Sequence, residues 1–315
     1  MYTGICLEDA LISYRYAENL LEGHGFVFNH GERVLGTTTP LQTLMLAALA
    51  RPFGAEYIPL ISSIVMMLLG LGTGALIYAC LVGSGYSRRL GLLATAVFLF
   101  HSDIIWSTTG GMETPLVLFL MASGLYAGIR HRWALLGLLS GLLILARIDG
   151  IIWAGGLSLV TVVRQRAAVR PILMSMLLVL VPWVVFATAY FGSPIPQSLL
   201  AKMPAISGLS ARLNTTAIRH YFDWFANGVG VPTGGGFLPI EHTIWLVFVI
   251  LGLFGVLRQH RRDPLLVIML FPFLYGASFY LGGAPFSFAW YLVPFTWCCL
   301  ILGVIGGQEL WLMLA

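Results

Sequence analysis

The chain has 315 residues, of which 58% are hydrophobic and 10% are charged, and its formal net charge at pH 7 is +4. Soluble domains carry about 25% charged residues, so this composition excludes an ordinary soluble domain and indicates an integral membrane protein. The positive charge forms no basic run interleaved with aromatic residues, and we therefore expect no nucleic-acid partner.

The chain opens with a charged stretch, GICLEDALISYRYAENLLEGHGF, at residues 4–26. The part from Glu8 onward predicts a helix lying along the membrane, with Gly23 as its terminator and with apolar contacts from Leu11, Ile12, Leu20 and Leu21. On that helix Glu8, Ile12 and Arg15 share one face, while Asp9, Ser13 and Tyr16 share the neighbouring face.

A second helix is predicted to follow the irregular loop after residue 26. The sequence TTTP ends at Pro40, and it indicates a helix start with Thr39 capping and the proline in the first turn. The apolar stretch at 41–50 is too short to cross a membrane, so this helix also belongs to the first long loop.

Nine apolar segments predict transmembrane helices, because a backbone inside lipid must satisfy its own hydrogen bonds. They lie near residues 57–82, 90–106, 114–129, 133–147, 150–163, 171–191, 243–257, 264–281 and 288–306. Several are shorter than the ~20 residues of a full crossing. We therefore expect an all-α integral membrane protein with about eight or nine transmembrane helices and with amphipathic helices of the first long loop on the outer face.

Arginines follow the first, third, fifth and seventh apolar segments, and the positive-inside rule makes their side cytoplasmic. They are Arg88, Arg89, Arg130, Arg132, Arg164, Arg166, Arg170, Arg258, Arg261 and Arg262. This orientation requires the chain to turn at ARIDG (146–150). We expect a multi-pass protein of the inner (plasma) membrane whose N-terminal segment lies outside. Such an N-terminus also predicts a transmembrane helix upstream of Met1, and hence that the chain is N-terminally truncated.

The whole chain, 1–315, is interpreted as one membrane domain. Residues 1–56 form an outer catalytic loop, 57–191 transmembrane helices, 192–242 a second outer loop and 243–315 further transmembrane helices. Acids are concentrated on the outer side: Glu8, Asp9, Glu18, Glu22, Glu32, Glu56, Asp103, Glu113, Asp149, Asp223 and Glu241. Since acids hardly affect topology, this bias indicates a functional site on the outer face.

The acidic pair Glu8–Asp9 is the first candidate, because a carboxylate at a membrane surface can act as a general base. Its alternative is a solvated helix start, where the dipole favours acids. Glu113, in STTGGMETPL (107–116), lies at the outer start of a transmembrane helix and is either a site acid or another acid favoured by the dipole.

Two basic residues are candidate phosphate contacts. Arg147 is in the turn at 146–150 with Asp149; it can grip a phosphate bidentately or form a local ion pair that holds the hairpin. Lys202, the only lysine of the chain, follows a proline-stiffened segment, GSPIPQSLLAK (192–202), and is either a phosphate contact or a lysine that snorkels to the interface.

Histidines give no positive case for a metal. His24, His30, His101 and His242 are predicted outside, but neither a zinc-like spacing nor a D-x-D motif is present in the sequence. No metal and no other cofactor is expected.

The stretch EDALISYRYAENLLEGHGFVFNHGERVLGTTTPLQTLMLA resembles the first outer loop of bacterial C-type (GT-C) glycosyltransferases, and it is most similar to the mycobacterial terminal arabinofuranosyltransferase-like branch. GMETPL, ARIDG and GSPIPQSLLAK resemble later blocks of that branch in the same order, so the likeness covers about residues 5–202. The family pair is usually Asp-Asp, whereas this chain has Glu-Asp, so either acid is a candidate base.

The resemblance implies a membrane enzyme that transfers a hexosyl or pentosyl sugar from a polyprenyl-phosphate donor to an acceptor hydroxyl of a glycan, lipid or protein, with inversion. It implies that Glu8 or Asp9 is the catalytic base. It also implies a set of donor or substrate contacts: Arg15, Arg147, Lys202, Glu113, Asp149 and His24.

The alternative function is a transporter or flippase for a lipid-linked or anionic solute. Such proteins keep ionisable residues near the middle of the bilayer. Here Asp103, Arg147 and Asp149 lie towards the predicted outer ends of the helices, which disfavours ion-coupled transport.

Overall fold

The computed structural model of the protein describes residues 8–198, 239–260, 264–282, 289–291 and 293–314. Within these ranges the regular elements are all helical, which confirms the predicted fold class. The α-helices are α1 (Glu8–Leu21), α2 (Pro40–Ala50), α3 (Ile58–Gly83), α4 (Arg88–Leu99), α5 (Ser102–Thr109), α6 (Thr114–Ile129), α7 (Trp133–Ala146), α8 (Gly150–Arg164), α9 (Val169–Phe191), α10 (Pro239–His260), α11 (Leu266–Gly282) and α12 (Val293–Leu314). Three short 3₁₀ helices are Ala55–Tyr57, Arg166–Ala168 and Ala289–Tyr291.

Three stretches of the described chain are long and apolar enough to cross a membrane: Ala55–Gly83, Arg166–Phe191 and Val293–Leu314. Helices α4 and α5 add a fourth if they are counted as one bent span. Six further apolar helices are shorter: Pro40–Ala50, Thr114–Ile129, Trp133–Ala146, Gly150–Arg164, Trp245–Gln259 and Leu266–Ser278. The total of eight or nine transmembrane helices stays a prediction.

The predicted apolar segment 90–106 is not one straight helix. Helices α4 and α5 meet at a 55° bend. The break occurs at Phe100 and His101, where the His101 imidazole accepts a hydrogen bond from the backbone N–H of Asp103 at 3.3 Å and so begins α5 as its N-cap. Hydrophobicity alone could not locate this break, because both arms are apolar.

The predicted turn at 146–150 is confirmed. Helix α7 ends at Ala146 and α8 begins at Gly150, so Arg147 and Asp149 are the residues flanking the two helix ends.

Helix α7 packs closely against α9. A Cβ added at Gly137 of α7 would collide with the Ile172 carbonyl of α9, which shows how near the two backbones are. Small residues at such contacts let two membrane helices approach each other.

The first loop differs from expectation in two details. Helix α1 ends before Gly23, whose φ of +83° suits the predicted terminator. Leu11, which was expected to make apolar contacts, is 44% exposed. The buried face of α1 is formed instead by Ala10, Ser13, Tyr14, Tyr16, Ala17 and Asn19. Helix α2 begins at Pro40 as predicted, yet the Thr39 side chain does not cap it. The Thr39 hydroxyl instead shares a hydrogen bond with Ser13 at 2.8 Å, which ties α1 to the start of α2.

Candidate active site

A cavity of about 150 Å³ lies among the first loop, the start of α6 and the turn between α7 and α8. Six separate segments each contribute to its wall, including Asp9, Thr38, Glu113, Arg147, Ser198 and Tyr291. The cavity therefore brings together, from positions far apart in the sequence, two of the predicted acids and one of the predicted basic residues.

Asp9 reaches this cavity from the first turn of α1, whereas its neighbour Glu8 is exposed and does not line the cavity. The register of α1 is fixed by polar contacts along the Asp9 face. Ser13 bonds to Thr39, and the Tyr16 hydroxyl donates to the Val34 carbonyl at 2.7 Å while accepting from the Gly36 N–H at 2.8 Å. These bonds hold the loop that supplies the threonines of the cavity wall against the helix that carries Asp9.

Glu113 is positioned by the glycine turn that precedes α6. The Gly111 carbonyl accepts hydrogen bonds from Gln42 at 2.9 Å, from Tyr14 at 3.4 Å and from Ser62 at 3.4 Å. The three donors lie on α2, α1 and α3, so one carbonyl links all three helices. Gly111 has a φ of +74°, a conformation that favours glycine. The turn delivers Glu113, 4% exposed, to the cavity wall.

Arg147 is the buried cation of the site and is 3% exposed. Its Nε and Nη2 donate to the two carboxylate oxygens of Asp149 at 2.8 and 2.9 Å, and Nη2 also contacts the Tyr275 hydroxyl at 3.3 Å. The Tyr275 hydroxyl donates in turn to Asp149 at 2.6 Å. The local Arg–Asp pair, one of the two alternatives for this turn, is therefore present.

One edge of the Arg147 guanidinium is held more loosely. Its Nη1 lies 3.4 Å from the Trp290 carbonyl and 3.7 Å from Glu113, and its carbon lies 5.4 Å from the centre of the Tyr291 ring. The pairing with Asp149 fixes the orientation of the guanidinium. Because Arg147 also lines the cavity, its Nη1 can still donate a hydrogen bond to a group bound there. The two alternatives for Arg147, an ion pair and an anion contact, are thus compatible.

Burial is the largest influence on the pKa of Glu113 in the cavity wall. It raises the pKa of Glu113 above its usual value, and the nearby Arg147 opposes this effect only in part, while Asp149 and Asp9 add to it. A carboxyl with a raised pKa holds its proton to higher pH and can then donate a hydrogen bond.

The remaining predicted site residues lie elsewhere. Arg15 forms an ion pair with Glu18 at 2.8 Å on a partly exposed face of α1 and does not line the cavity. His24 lies beyond the opposite end of α1, whose last residue, Leu21, is about 18 Å along the helix from Asp9 at 1.5 Å per residue. Lys202 lies outside the described residues. Ser198, four positions before it, lines the cavity.

Among the residues that the sequence analysis missed are three aromatic ones that line the cavity or contact its ion pair: Tyr275, Trp290 and Tyr291. They come from α11 and the 3₁₀ helix before α12, and Tyr275 is 126 positions from its partner Asp149. Nothing in an apolar aromatic stretch distinguishes such residues from lipid-facing ones, because the contact exists only once the helices are packed.

Comparison with known proteins gives one curated relative, one solved structure and no matching protein-family model. The terminal β-(1→2)-arabinofuranosyltransferase of Mycobacterium tuberculosis (strain ATCC 25618 / H37Rv) is 31% identical over 224 residues, covering 62% of this chain and 34% of the relative. The chain thus spans about a third of the length of that relative.

The solved structure is that of ArnT from Cupriavidus metallidurans bound to undecaprenyl phosphate. It matches 98% of this chain and 59% of its own length with a TM-score of 0.56 and 16% sequence identity, which shows a shared fold. The first comparison agrees with the sequence resemblance to the arabinofuranosyltransferase-like branch. The second shows that the chain shares the fold of ArnT, and its apolar helices are those of a multi-pass membrane protein.

Proposed function

We propose that this GT-C-type chain is a glycosyltransferase of the inner membrane that moves a sugar from a polyprenyl-phosphate donor to an acceptor hydroxyl on the outer face. One observation carries the proposal: Asp9 and the buried Arg147 line the same cavity. The names of the two similar proteins support it, since one is an arabinofuranosyltransferase and the other was crystallised with undecaprenyl phosphate.

Asp9 acts as the general base in this proposal, and Glu8 does not. A base must come within hydrogen-bond reach of the hydroxyl whose proton it removes, and of the two adjacent acids Asp9 is the one that lines the cavity. Its position in the first turn of α1 also suits a carboxylate, because the helix dipole stabilises negative charge there.

Arg147 stabilises the departing phosphate through its Nη1 edge. The bidentate pairing with Asp149 and the bond between Tyr275 and Asp149 fix the plane of the guanidinium before substrate binds. A pre-oriented cation needs no reorganisation as charge develops on the leaving group, which is the usual source of electrostatic catalysis. Asp149 and Tyr275 are positioning residues in this scheme, and Lys202 is proposed as a second phosphate contact.

A separate role is proposed for Glu113, which lies in the cavity wall beside Arg147. An ionised carboxylate 3.7 Å from Arg147 would compete with a phosphate for the same cation. In its protonated form Glu113 instead donates a hydrogen bond to a phosphate or sugar oxygen. This keeps the cavity favourable for an anion although two acids line it.

The chemical step is a direct displacement at the anomeric carbon. Asp9 takes the proton of the acceptor hydroxyl, the hydroxyl oxygen forms a bond to the anomeric carbon, and the bond from that carbon to the phosphate oxygen breaks with its electron pair on the phosphate. A single base with no covalent intermediate inverts the anomeric configuration. Glycan, lipid and protein hydroxyls all satisfy this chemistry as acceptors.

The test compares Asp9→Asn with Glu8→Gln in purified protein supplied with polyprenyl-phosphate pentose and hexose donors. General-base removal costs about 10²- to 10⁴-fold in rate, so we expect Asp9→Asn to lose transfer by that factor. Glu8→Gln is the matched control, an isosteric neutralisation at the adjacent exposed position, and should retain transfer within about threefold. Equal activity of wild type and Asp9→Asn would eliminate Asp9 as the base.

A further inference from the structure

Three metal-ligating side chains come together on the surface beyond the end of α1. They are Glu22, His24 and His30, and each offers a ligand atom within 4.8 Å of the other two. The trio is the one such group in the part of the chain that the structure describes. The spacing hides it in the sequence, because five residues separate the two histidines and the chain must reverse to bring them together.

Two glycines produce this reversal. Gly23 and Gly25 have φ values of +83° and +90°, and the His24 N–H returns a hydrogen bond to the Asn19 carbonyl at 2.9 Å. The imidazole rings of His24 and His30 lie 3.9 Å apart between centroids, and His24 Nε2 lies 3.5 Å from the Glu22 carboxylate. The loop thus collects its polar side chains on one side.

The tautomer of the neutral His30 ring follows from a hydrogen bond to a buried neighbour, Asn19. Asn19 is fully buried, and its Nδ2 donates to the carbonyls of Val27 and Phe28, both at 2.8 Å. Its Oδ1 is therefore the atom that faces His30 Nε2 at 3.0 Å, and an amide oxygen can only accept. Nε2 of His30 must carry the hydrogen, which leaves the lone pair on Nδ1. A hydrogen bond from the second ring nitrogen is the usual way in which a metal-binding histidine is oriented.

We propose that Glu22, His24 and His30 bind a divalent transition-metal ion of the Zn²⁺ class, which closes the loop 22–30 on itself just beyond the end of α1. Two imidazole nitrogens and one carboxylate oxygen are a zinc ligand set, with water as the fourth ligand. In a tetrahedral site ligand atoms are about 3.3 Å apart, so a pair of ligand atoms at the upper limit of 4.8 Å needs to close by roughly 1.5 Å, and the other pairs by less. All three side chains are exposed and can make this movement.

The site is separate from sugar transfer in this proposal, because the end of α1 beside it, at Leu21, lies about 18 Å along the helix from Asp9. Imidazole ligands also select against Mg²⁺ and Ca²⁺, which prefer oxygen. The proposal therefore stands or falls separately from the proposed function, and binding itself is its readout.

The experiment is isothermal titration of the detergent-purified protein with Zn²⁺, using an affinity tag that lacks histidine, and with Mg²⁺ as a comparator. We expect one Zn²⁺ per chain, no Mg²⁺ binding, and at least tenfold weaker Zn²⁺ binding in His24→Ala and in His30→Ala. Because both side chains are exposed, neither variant should unfold, and circular dichroism checks this.

Two matched controls separate this site from general zinc binding. His131→Asn removes an exposed histidine elsewhere, at a position with a φ of 56°, which asparagine tolerates. Glu32→Gln neutralises an exposed acid two residues beyond the loop 22–30. Both should bind Zn²⁺ as the wild type does. Absence of binding by the wild type, or wild-type affinity in the His24 and His30 variants, would overturn the proposal.

Discussion

Tyr275→Phe tests whether the Tyr275 hydroxyl stabilises the Arg147–Asp149 ion pair by bonding to both partners. The substitution removes one oxygen that donates to Asp149 at 2.6 Å and contacts Arg147 at 3.3 Å, and it leaves the ring that packs on Phe271. Hydrogen bonds to charged groups contribute about 1.5–3 kcal/mol, and the longer contact adds less. The two direct bonds of the pair remain, so the loss should stay below the ~3–5 kcal/mol of breaking a buried pair outright. We expect about 2–3 kcal/mol.

The assay is unfolding in mixed micelles titrated with SDS. Tyr126→Phe is the matched control, because Tyr126 is half-buried on α6 and its hydroxyl makes no hydrogen bond among the described residues; it should stay within about 0.5 kcal/mol of the wild type. In an Asp149→Asn background the effect of Tyr275→Phe should shrink to about 1 kcal/mol, since the acceptor is then neutral. Wild-type stability of Tyr275→Phe, or an undiminished loss in that background, would refute this stabilisation of the ion pair.

Three further predictions concern helix packing, protonation and the donor site. Gly137→Ala places a Cβ against the Ile172 carbonyl and should cost about 1–3 kcal/mol, whereas Gly155→Ala, with open space around its Cβ, should be neutral; equal stability of the two would contradict the close contact of α7 and α9. Burial raises the pKa of Glu113, so thermal stability should fall as the pH rises from about 4.3 through the folded-state pKa, less so in Glu113→Gln; parallel profiles would contradict this. Polyprenyl phosphate should slow amine-reactive labelling of Lys202, the only lysine; unchanged labelling would argue against a phosphate contact.

Helix positions were largely predictable, because apolar runs bounded by charges, glycine or proline have few alternatives in a membrane. The predicted segment 114–129 coincides with α6, and the predicted turn at 146–150 separates α7 from α8. The bend at His101 was not predictable, since a capping imidazole between two apolar arms leaves the hydrophobic pattern unchanged. Thr39 was misjudged for a related reason: its partner Ser13 lies 26 positions away.

The charged residues of the candidate site could be singled out from the sequence, but their geometry could not, and their roles stay predictions. Charged residues in so apolar a chain are conspicuous, because each is costly to bury without a partner. Arg147, Asp149 and Glu113 stand out on that ground, and the fold brings them together. The aromatic partners Tyr275 and Tyr291 carry no such signal, and they are the residues that turn a local ion pair into an oriented one.

The choice between Glu8 and Asp9 depends on which face of α1 is turned towards the cavity. The sequence shows that the two acids are on neighbouring faces, but it does not show which of these faces is buried. Asp9 is on the face of α1 that continues through Ser13 and Tyr16, and those two are 4% and 0% exposed because they bond to the loop of the cavity wall. Glu8 is on the face of Arg15, which pairs with Glu18 at the surface. If Arg15 were paired with Asp9, that carboxylate would be occupied by an ion pair, and Glu8 would be the better candidate for the base. The burial of two neutral side chains, more than any property of the acids, is therefore what favours Asp9.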